Sequence, residues 1–349
     1  MSEWKKYKFS ELCDVTRGAS PRPIQDFISN EGMPWVKIAD ATSCESRFIG
    51  QTKERIKLEG VEKSKSVFPG DLILSNSATP GLPKFMKIEA CIHDGWMLLR
   101  NFRGLNKRFA YWLLLHERKD LVMHGNGSIF VNLKTDILKD HEVIIPDEVE
   151  QERIADILDS IAEKIELNNQ INQTLESMAQ NIFKSWFVDF EPVKAKITAI
   201  EAGEDAEGVT HAAMSAISGK TNEELAQMQA EQPENYTQLK TTAERFPAAI
   251  QDSEFGEVPE GWEISTIGDE VGVVGGGTPS TKNPEFWEGG EINWTTPKDL
   301  SNLSDKILLT TDRKITVAGL KNISSGLLPI NTVLMSSRAP VGYLGLVTK

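Results

Sequence analysis

Arg17, Arg22, Asn76, Lys84, Asn126 and Ser128 stand in turn-rich loops of the first 145 residues, and Lys282, Ser336 and Arg338 stand in similar loops near the other end. An arginine fork can bridge guanine O6 and N7, an asparagine amide can pair with adenine N6 and N7, and lysine or serine can hold a phosphate. The chemistry these side chains offer is binding. The five histidines, His93, His116, His124, His141 and His211, form no His-x-x-x-His pair, and the cysteines no Cys-x-x-Cys pair, for a metal. His93-Asp94 suggests half of a hydrolase pair, but neighbours along a strand point to opposite faces. Neither the Asp/Asn-Pro-Pro-Tyr/Phe motif of an adenine methyltransferase nor a Gly-x-Ser-x-Gly elbow occurs. Gly275-Gly-Gly277 lacks the further glycines or the Gly-Lys-Ser/Thr ending of a phosphate loop. The expectation is a chain with no catalytic residues, no metal and no cofactor of its own.

The elements that must position these loops read as an α+β module over residues 1–145. Met33-Pro-Trp-Val-Lys-Ile38 reads as a strand reaching Asp40, and Phe68-Pro-Gly-Asp71 as a turn before Leu72-Ile-Leu74. Cys91 to Leu99 reads as one strand with a bulge or turn at Asp94-Gly95. Residues 106–121 form the clearest helix, Gly125-Asn-Gly-Ser128 is a loop before Ile129-Phe-Val131, and Val143-Ile-Ile145 closes the module.

Residues 146–190 follow as one long helix. Asp147, Glu148 and Glu150 give it an acidic start, and Ile154, Leu158, Ile161, Ile165, Ile171, Leu175, Met178, Ile182 and Trp186 recur mostly in steps of three and four. That spacing lays an apolar stripe along a rod of about 60 Å. Asn168 interrupts the stripe, as a register-setting polar residue does on a coiled-coil seam. The stripe asks for a partner helix, from another subunit or from a second copy of the chain. Residues 191–261 are rich in Ala, Glu, Gln and Thr, and read as an acidic, partly flexible, poorly packed linker with one local helix over 222–229.

The chain of 349 residues carries a formal charge of -13, and this charge is unevenly placed. Lys and Arg outnumber Asp and Glu before residue 146, whereas the acidity concentrates in the rod and the linker. Nucleic-acid binding by the modules is therefore permitted. Cys13, Cys44 and Cys91 are an odd set at no ligand-like spacing, which reads as buried thiols in a reducing compartment. With no apolar run for a signal peptide or a membrane span, the expectation is a cytoplasmic protein that does not engage membranes.

Residues 262–349 repeat the beginning of the chain. Trp4 is answered by Trp262 and Gly18-Ala-Ser-Pro21 by Gly276-Gly-Thr-Pro279 at an offset of 258, and Trp35 to Asp40 by Trp294 to Asp299 at 259. Pro69 to Leu74 is answered by Pro329 to Leu334, and Ser75 to Pro80 by Met335 to Pro340, at 260. On this alignment Asn331 replaces Asp71, Ser336 answers Asn76, Arg338 answers Ala78, and Val333 answers Ile73. Trp4 and Trp262 should pack in equivalent cores, as should Trp35 and Trp294. The second copy reads as incomplete, lacking a counterpart of the 106–121 helix and of the rod.

The order of these motifs resembles the DNA-specificity subunit of type I restriction-modification enzymes. The resemblance is carried by the opening Trp4 to Pro21 and Trp262 to Pro279, by Pro69 to Leu74, by Ile144-Ile-Pro-Asp-Glu-Val-Glu-Gln-Glu-Arg-Ile154, and by Gln173 to Asp189. It implies a target-recognition domain at 1–145, a conserved coiled-coil spacer helix at 146–190, and part of a second target-recognition domain at 262–349. It also implies that each domain binds one half of a bipartite double-stranded DNA target. Methyltransferase subunits using S-adenosylmethionine, and restriction subunits using ATP and Mg²⁺, are implied partners that hold the catalysis. The alternative from the residues alone is a non-catalytic homodimeric scaffold, whose long helix binds protein without DNA recognition.

Overall fold

A computed structural model describes residues 4–44, 46–123, 132–303 and 306–348 of the chain. These fall into two compact units, Met1–Asp189 and Phe190–Lys349.

Two five-stranded sheets form the body of the first unit. One runs β3 (Ile28–Ser29), β6 (Glu54–Ile56), β4 (Met33–Val36), β10 (Ala90–Ile92), β7 (Lys65–Val67); the other runs β2 (Asp14–Arg17), β11 (Trp96–Arg100), β8 (Leu72–Ser75), β9 (Pro83–Met86), β5 (Phe48–Ile49). The residues expected to form one strand from Cys91 to Leu99 thus divide between the sheets, β10 joining one and β11 the other, with a turn at His93–Gly95 between them. β11 pairs antiparallel with both β2 and β8. Its alternate side chains serve two cores, as the period of two requires. Trp96 and Leu98 pack with Ile73, Met86 and Ile92, whereas Met97 and Leu99 pack with Leu72, Leu74 and the helices α1 (Phe9–Leu12), α4 (Lys107–Met123) and α5 (Thr135–Asp140). Burying each of these large side chains contributes about 1.5–3 kcal/mol. A separate antiparallel pair joins β1 (Lys5–Lys8) to β12 (Glu142–Ile145). The 125–128 loop and the segment 129–131 that follows it lie outside the described residues.

Short helices α2 (Ile38–Thr42) and α3 (Leu58–Val61) complete the module, and α6 (Glu148–Phe187) follows it as a single helix of 40 residues. The Asp147 side chain accepts from Glu150 N at 2.9 Å and satisfies one otherwise orphaned N–H at the helix start. The first turns of α6 belong to the module: Gln151, Ala155 and Asp159 are buried, and Ile154 packs against the core. Beyond them the apolar stripe is open, with Ile161, Ile165, Ile171, Leu175, Met178 and Ile182 each 44–56% exposed.

The second unit begins with α7 (Glu191–Glu201), α8 (Ala206–Ser218), α9 (Asn222–Glu231) and α10 (Pro233–Glu244). The expected poorly packed linker is instead a small helical cluster. Ala213, Met214, Leu225, Tyr236 and Ala243 form its core, and Lys196 Nζ donates to Phe246 O at 2.6 Å. Low aliphatic bulk misled the composition argument, because alanine faces let helices approach closely and form a core with few large residues. Asp205 and Thr221 cap α8 and α9, and Gly219 ends α8 at φ 69°. Glu191-Pro192 starts α7 and does not merely end the rod. The hairpin β13 (Ile250–Ser253) and β14 (Gly256–Pro259) leads on to α11 (Ile267–Glu270).

The rest of the unit reproduces the module in hydrogen-bond register. β15 (Ile292–Trp294) pairs with β17 (Arg313–Ile315) as β4 pairs with β6, Trp294 opposite Arg313 as Trp35 is opposite Glu54. α12 (Pro297–Ser301) follows as α2 does. Asp40 accepts from Lys37 N at 2.8 Å and Lys53 N at 3.2 Å, and Asp299 accepts from Thr296 N and Asp312 N, both at 2.8 Å. β16 (Ile307–Leu308) runs parallel to β19 (Leu344–Val347) as β5 runs parallel to β9, and β18 (Val333–Met335) pairs antiparallel with β19 as β8 does with β9. α13 (Val317–Lys321) answers α3.

The structure corrects the alignment of the later motifs from an offset of 260 to 261. Gly70 N donates to Met86 O and Asn331 N to Val347 O, each at 2.8 Å, and both residues take positive φ, 87° and 68°. Glycine is the default there and asparagine among the better substitutes. Thr332, not Asn331, therefore occupies the place of Asp71, and Leu334, not Val333, that of Ile73. The Trp4–Trp262 expectation also fails: Trp4 is 53% exposed, and Trp262 meets the Phe190 ring edge-on at 5.6 Å. Trp35 is buried, and Trp294 is half-buried with the Arg313 guanidinium 5.3 Å from its ring centroid.

Candidate nucleic-acid interface

The loop after β2, the end of β8 and the turn between β10 and β11 converge in the first unit. Arg17 at the end of β2, Asn76 and Ser77 after β8, and the turn His93–Gly95 line a cavity of about 540 Å³ together with Asn132, Lys134, Thr135 and Asp136 around the start of α5. Arg17 and Asn76, far apart in sequence, both contribute. Gly18 makes the convergence possible, since a Cβ there would lie 2.1 Å from His93 O.

Arg17 ends β2, and its Nε donates to Asp94 O at 2.9 Å. Arg22 donates through a terminal NH₂ to Asp94 Oδ2 at 3.3 Å. Both arginines keep most of their side chains in solvent, 61% for Arg17 and 73% for Arg22. They remain available to an incoming phosphate or base edge. Ser20 Oγ donates to Asp94 Oδ1 at 2.6 Å, and that bond, with the nearby Arg22 charge, holds the Asp94 carboxyl below its ordinary range. His93 Nδ1 accepts from Gly95 N at 2.8 Å, and burial lowers the affinity of the ring for a second proton. The Gly95 bond and the Trp35 ring, 6.0 Å away, fix the His93 imidazole within the turn.

Other expected contacts turn out to be structural. Asn76 is buried, with Nδ2 donating to Asp94 O at 2.9 Å and its backbone bonded to Gly95 and Leu133. It ties the loops together and cannot read a base without breaking those bonds. Lys84 lies within β9 and is only 4% exposed, its ammonium donating to Cys44 O at 2.6 Å and Ser46 O at 2.5 Å. Burial pulls its pKa down, and it holds no surface phosphate site. Ser336 is buried too: its Oγ accepts from Tyr343 N at 2.9 Å and donates to Pro340 O at 2.7 Å. Ser75 does the same in the first unit, accepting from Leu82 N at 2.9 Å and donating to Thr79 O at 2.5 Å. Ser336 is therefore the counterpart of Ser75, not of Asn76, and Arg338 that of Ser77. Lys282 and Arg338 are exposed on the second unit. Asn126 and Ser128 lie outside the described residues.

Sequence reasoning missed a second cluster, which fixes the long helix to the module. Asp159 on α6 forms an ion pair with Arg47 and accepts from Trp112 Nε1 at 2.9 Å and Arg108 at 3.1 Å. Gln151 accepts from Asn106 N at 2.8 Å and donates to Gly104 O and Pro146 O. The only sequence signal was a polar residue on the flank of an apolar stripe. Among the described residues no group of three or more His, Cys, Asp or Glu could hold a metal, and no helix is long and apolar enough to cross a membrane.

A family model described as the type I restriction modification DNA specificity domain matches residues 1–177 and 259–349. The chain is 32% identical over 365 residues to the type I restriction enzyme HindI specificity subunit of Haemophilus influenzae, an alignment covering 100% of this chain and 77% of that protein. It is 39% identical over 102 residues to the MjaIX specificity subunit of Methanocaldococcus jannaschii, covering 29% of this chain and 23% of that protein. Among solved structures, the HsdS subunit from Thermoanaerobacter tengcongensis aligns at a TM-score of 0.38 and 22% identity, over 48% of this chain and 39% of that one. The S subunit from M. genitalium aligns at 0.40 and 13%, over 99% of this chain and 68% of that one. The matched family segments coincide with the two repeats and most of the rod, so the chain belongs to the family of type I restriction-modification DNA-specificity subunits.

Proposed function

We propose that this chain is the sequence-reading subunit of a type I restriction-modification complex, each of its two modules binding one half of a bipartite duplex target. The observation that carries the reading is the family match falling on two copies of one hydrogen-bonded frame. A single module that reads a few base pairs gains little, since each mismatch costs about 1–3 kcal/mol. Two modules and a stiff spacer read two short half-sites at a set distance. The 40 residues of α6 make a rod of about 60 Å, comparable with two turns of B-DNA at about 70 Å. Arg17 and Arg22 in the first module, and Lys282 and Arg338 in the second, are the side chains assigned to DNA.

The open stripe from Ile161 to Ile182 is the surface assigned to methyltransferase subunits, and through them to restriction subunits, all cytoplasmic. S-adenosylmethionine, ATP and Mg²⁺ would act in those partners. Without them, the stripe would pair with a second copy of this chain. The test is to reconstitute the chain with its methyltransferase subunits, footprint the duplex it selects, and repeat the binding across a salt series. Two protected half-sites, with affinity falling steeply as salt rises, are expected. Partner binding without any DNA protection would leave a scaffold in place of a reader.

A further inference from the structure

Asp94, which lines the cavity with Arg17, places a negative charge beside both Arg17 and Arg22, where a DNA-binding surface would ordinarily exclude one. We propose that Asp94 is a positioning residue for sequence selection: it holds the Arg17 and Arg22 guanidiniums in one arrangement and withholds them from indiscriminate contact with phosphate. The inference rests on the DNA-recognition reading given above.

Its backbone is fixed from several sides. Asp94 sits in the turn joining strands of different sheets, where Trp96 N donates to His93 O at 3.0 Å and Gly18 N to Trp96 O at 2.8 Å. Asn76 Nδ2 and Arg17 Nε both donate to Asp94 O at 2.9 Å. Its side chain takes Ser20 on Oδ1 at 2.6 Å, while Oδ2 lies 3.3 Å from the Arg22 guanidinium and 3.9 Å from that of Arg17. One residue thus gathers the 17–22 loop onto the 93–95 turn.

Stability alone does not account for the arrangement. The Asp94 side chain is 41% exposed and both arginines more so, and ion pairs at such exposure contribute little to folding. Orientation does account for it. The Asp94 carbonyl anchors Arg17 through Nε, and the carboxylate, 3.3 Å from the Arg22 guanidinium and 3.9 Å from that of Arg17, sets where the terminal donors of both arginines rest, which is what bidentate recognition of a base edge needs. The carboxylate also repels phosphates that approach the pair from a wrong register, so it disfavours unselected duplexes.

The experiment uses the full chain with its methyltransferase subunits. A preferred sequence is first recovered by the wild type from a randomised duplex pool, and affinity is then measured for that duplex and a scrambled one over a salt series. Asp94→Asn keeps an acceptor for Ser20 but removes the charge. It is expected to bind the preferred duplex about tenfold more weakly, the size of one lost base contact. It is also expected to bind the scrambled duplex more tightly with a steeper salt dependence, as the released guanidiniums take up phosphate. Asp94→Glu, which retains the charge, should recover part of the ratio, and it carries the test if Asp94→Asn does not fold. In an Arg17→Gln/Arg22→Gln background, Asp94→Asn should change the ratio no further. An unchanged ratio, an equal loss on both duplexes, or the same further loss in the double-glutamine background overturns the proposal. A wild-type complex that selects no sequence overturns the recognition reading itself, and this inference with it.

Discussion

Arg47 and Asp159 form an ion pair almost completely shielded from water, joining the segment before β5 to the long helix α6. The Arg47 guanidinium lies 5.4 Å from the Phe48 ring centroid and 5.5 Å from that of Trp112, and Asp159 also accepts from Trp112 and Arg108. The pair ties the rod to its module at Asp159.

Asp159→Ala leaves that buried guanidinium with only the solvent-exposed Glu163 carboxylate, 3.5 Å away, as a charged partner. Removing one partner of a buried pair costs about 3–5 kcal/mol. The variant should unfold the first unit at lower denaturant and show faster amide exchange over residues 148–160 than the wild type. Exchange unchanged in that segment would show that Gln151 and the apolar contacts anchor the helix without Asp159.

Leu175→Asp and Ile165→Asp place charge on the open stripe, where neither side chain is needed by the module's core. Both should leave the unfolding of the first unit within about 0.5 kcal/mol of wild type, as surface changes do. Both should abolish self-association of the isolated chain in sedimentation and weaken capture of methyltransferase subunits. Full assembly in both variants would remove the stripe as the contact surface.

Lys84→Ala and Arg17→Ala separate a structural cation from an exposed one. Truncating Lys84 strips the partly buried carbonyls of Cys44 and Ser46 of their ammonium donor, and a buried polar group left unpaired costs about 1–3 kcal/mol. Its variant should lose stability, whereas Arg17→Ala should keep its unfolding midpoint and lose DNA discrimination. The opposite pattern in calorimetry and binding would reverse the two roles.

Asp71 supplies a pH dependence. Burial pushes its carboxyl up, but the two bonds from Arg100, at 3.0 and 2.5 Å, and the Phe68 N–H more than offset that and hold it below its ordinary range. Because the folded pKa is the lower one, the contribution is present above the unfolded value of about 3.9 and is lost as pH falls through the folded pKa. Asp71→Asn should therefore flatten the acid limb of the stability profile below about pH 4 while changing little of its shape above pH 6. An acid limb identical to wild type would assign the acid sensitivity to other carboxylates.

The sequence showed that there were two modules and a rod because those features are periodic or repeated, and repetition survives the loss of any one residue. Three-dimensional roles were less legible. Lys84 sits in Gly81-Leu-Pro-Lys-Phe-Met86, whose glycine and proline read as a loop, yet the stretch from Pro83 is a strand interior with a lysine turned inward to two carbonyls. Asn76 has the composition of a reading residue and the contacts of a brace. Arg17 and Arg22 were found correctly as exposed cations, but Asp94, which organises them, looked like a turn residue beside a glycine. The helical cluster at 191–244 was missed because an apolar count undervalues alanine, whose contribution is close approach, not bulk.

The serine clasps at Ser75 and Ser336 have a consequence for how such a protein can change. Each clasp closes its loop at the stem with the same pair of bonds, and Gly81 N and Gly342 N return to Ser75 O and Ser336 O at 2.8 and 2.9 Å. The polar groups of the stem are satisfied inside the stem, so the strands below do not depend on which side chains the loop carries. Residues 77–80 and 338–341 are thus interchangeable inserts on a common socket, whereas Asn76 stays with the socket as its brace to Asp94. A new loop can be installed by grafting four residues, and the sheet beneath has no new hydrogen bond to find.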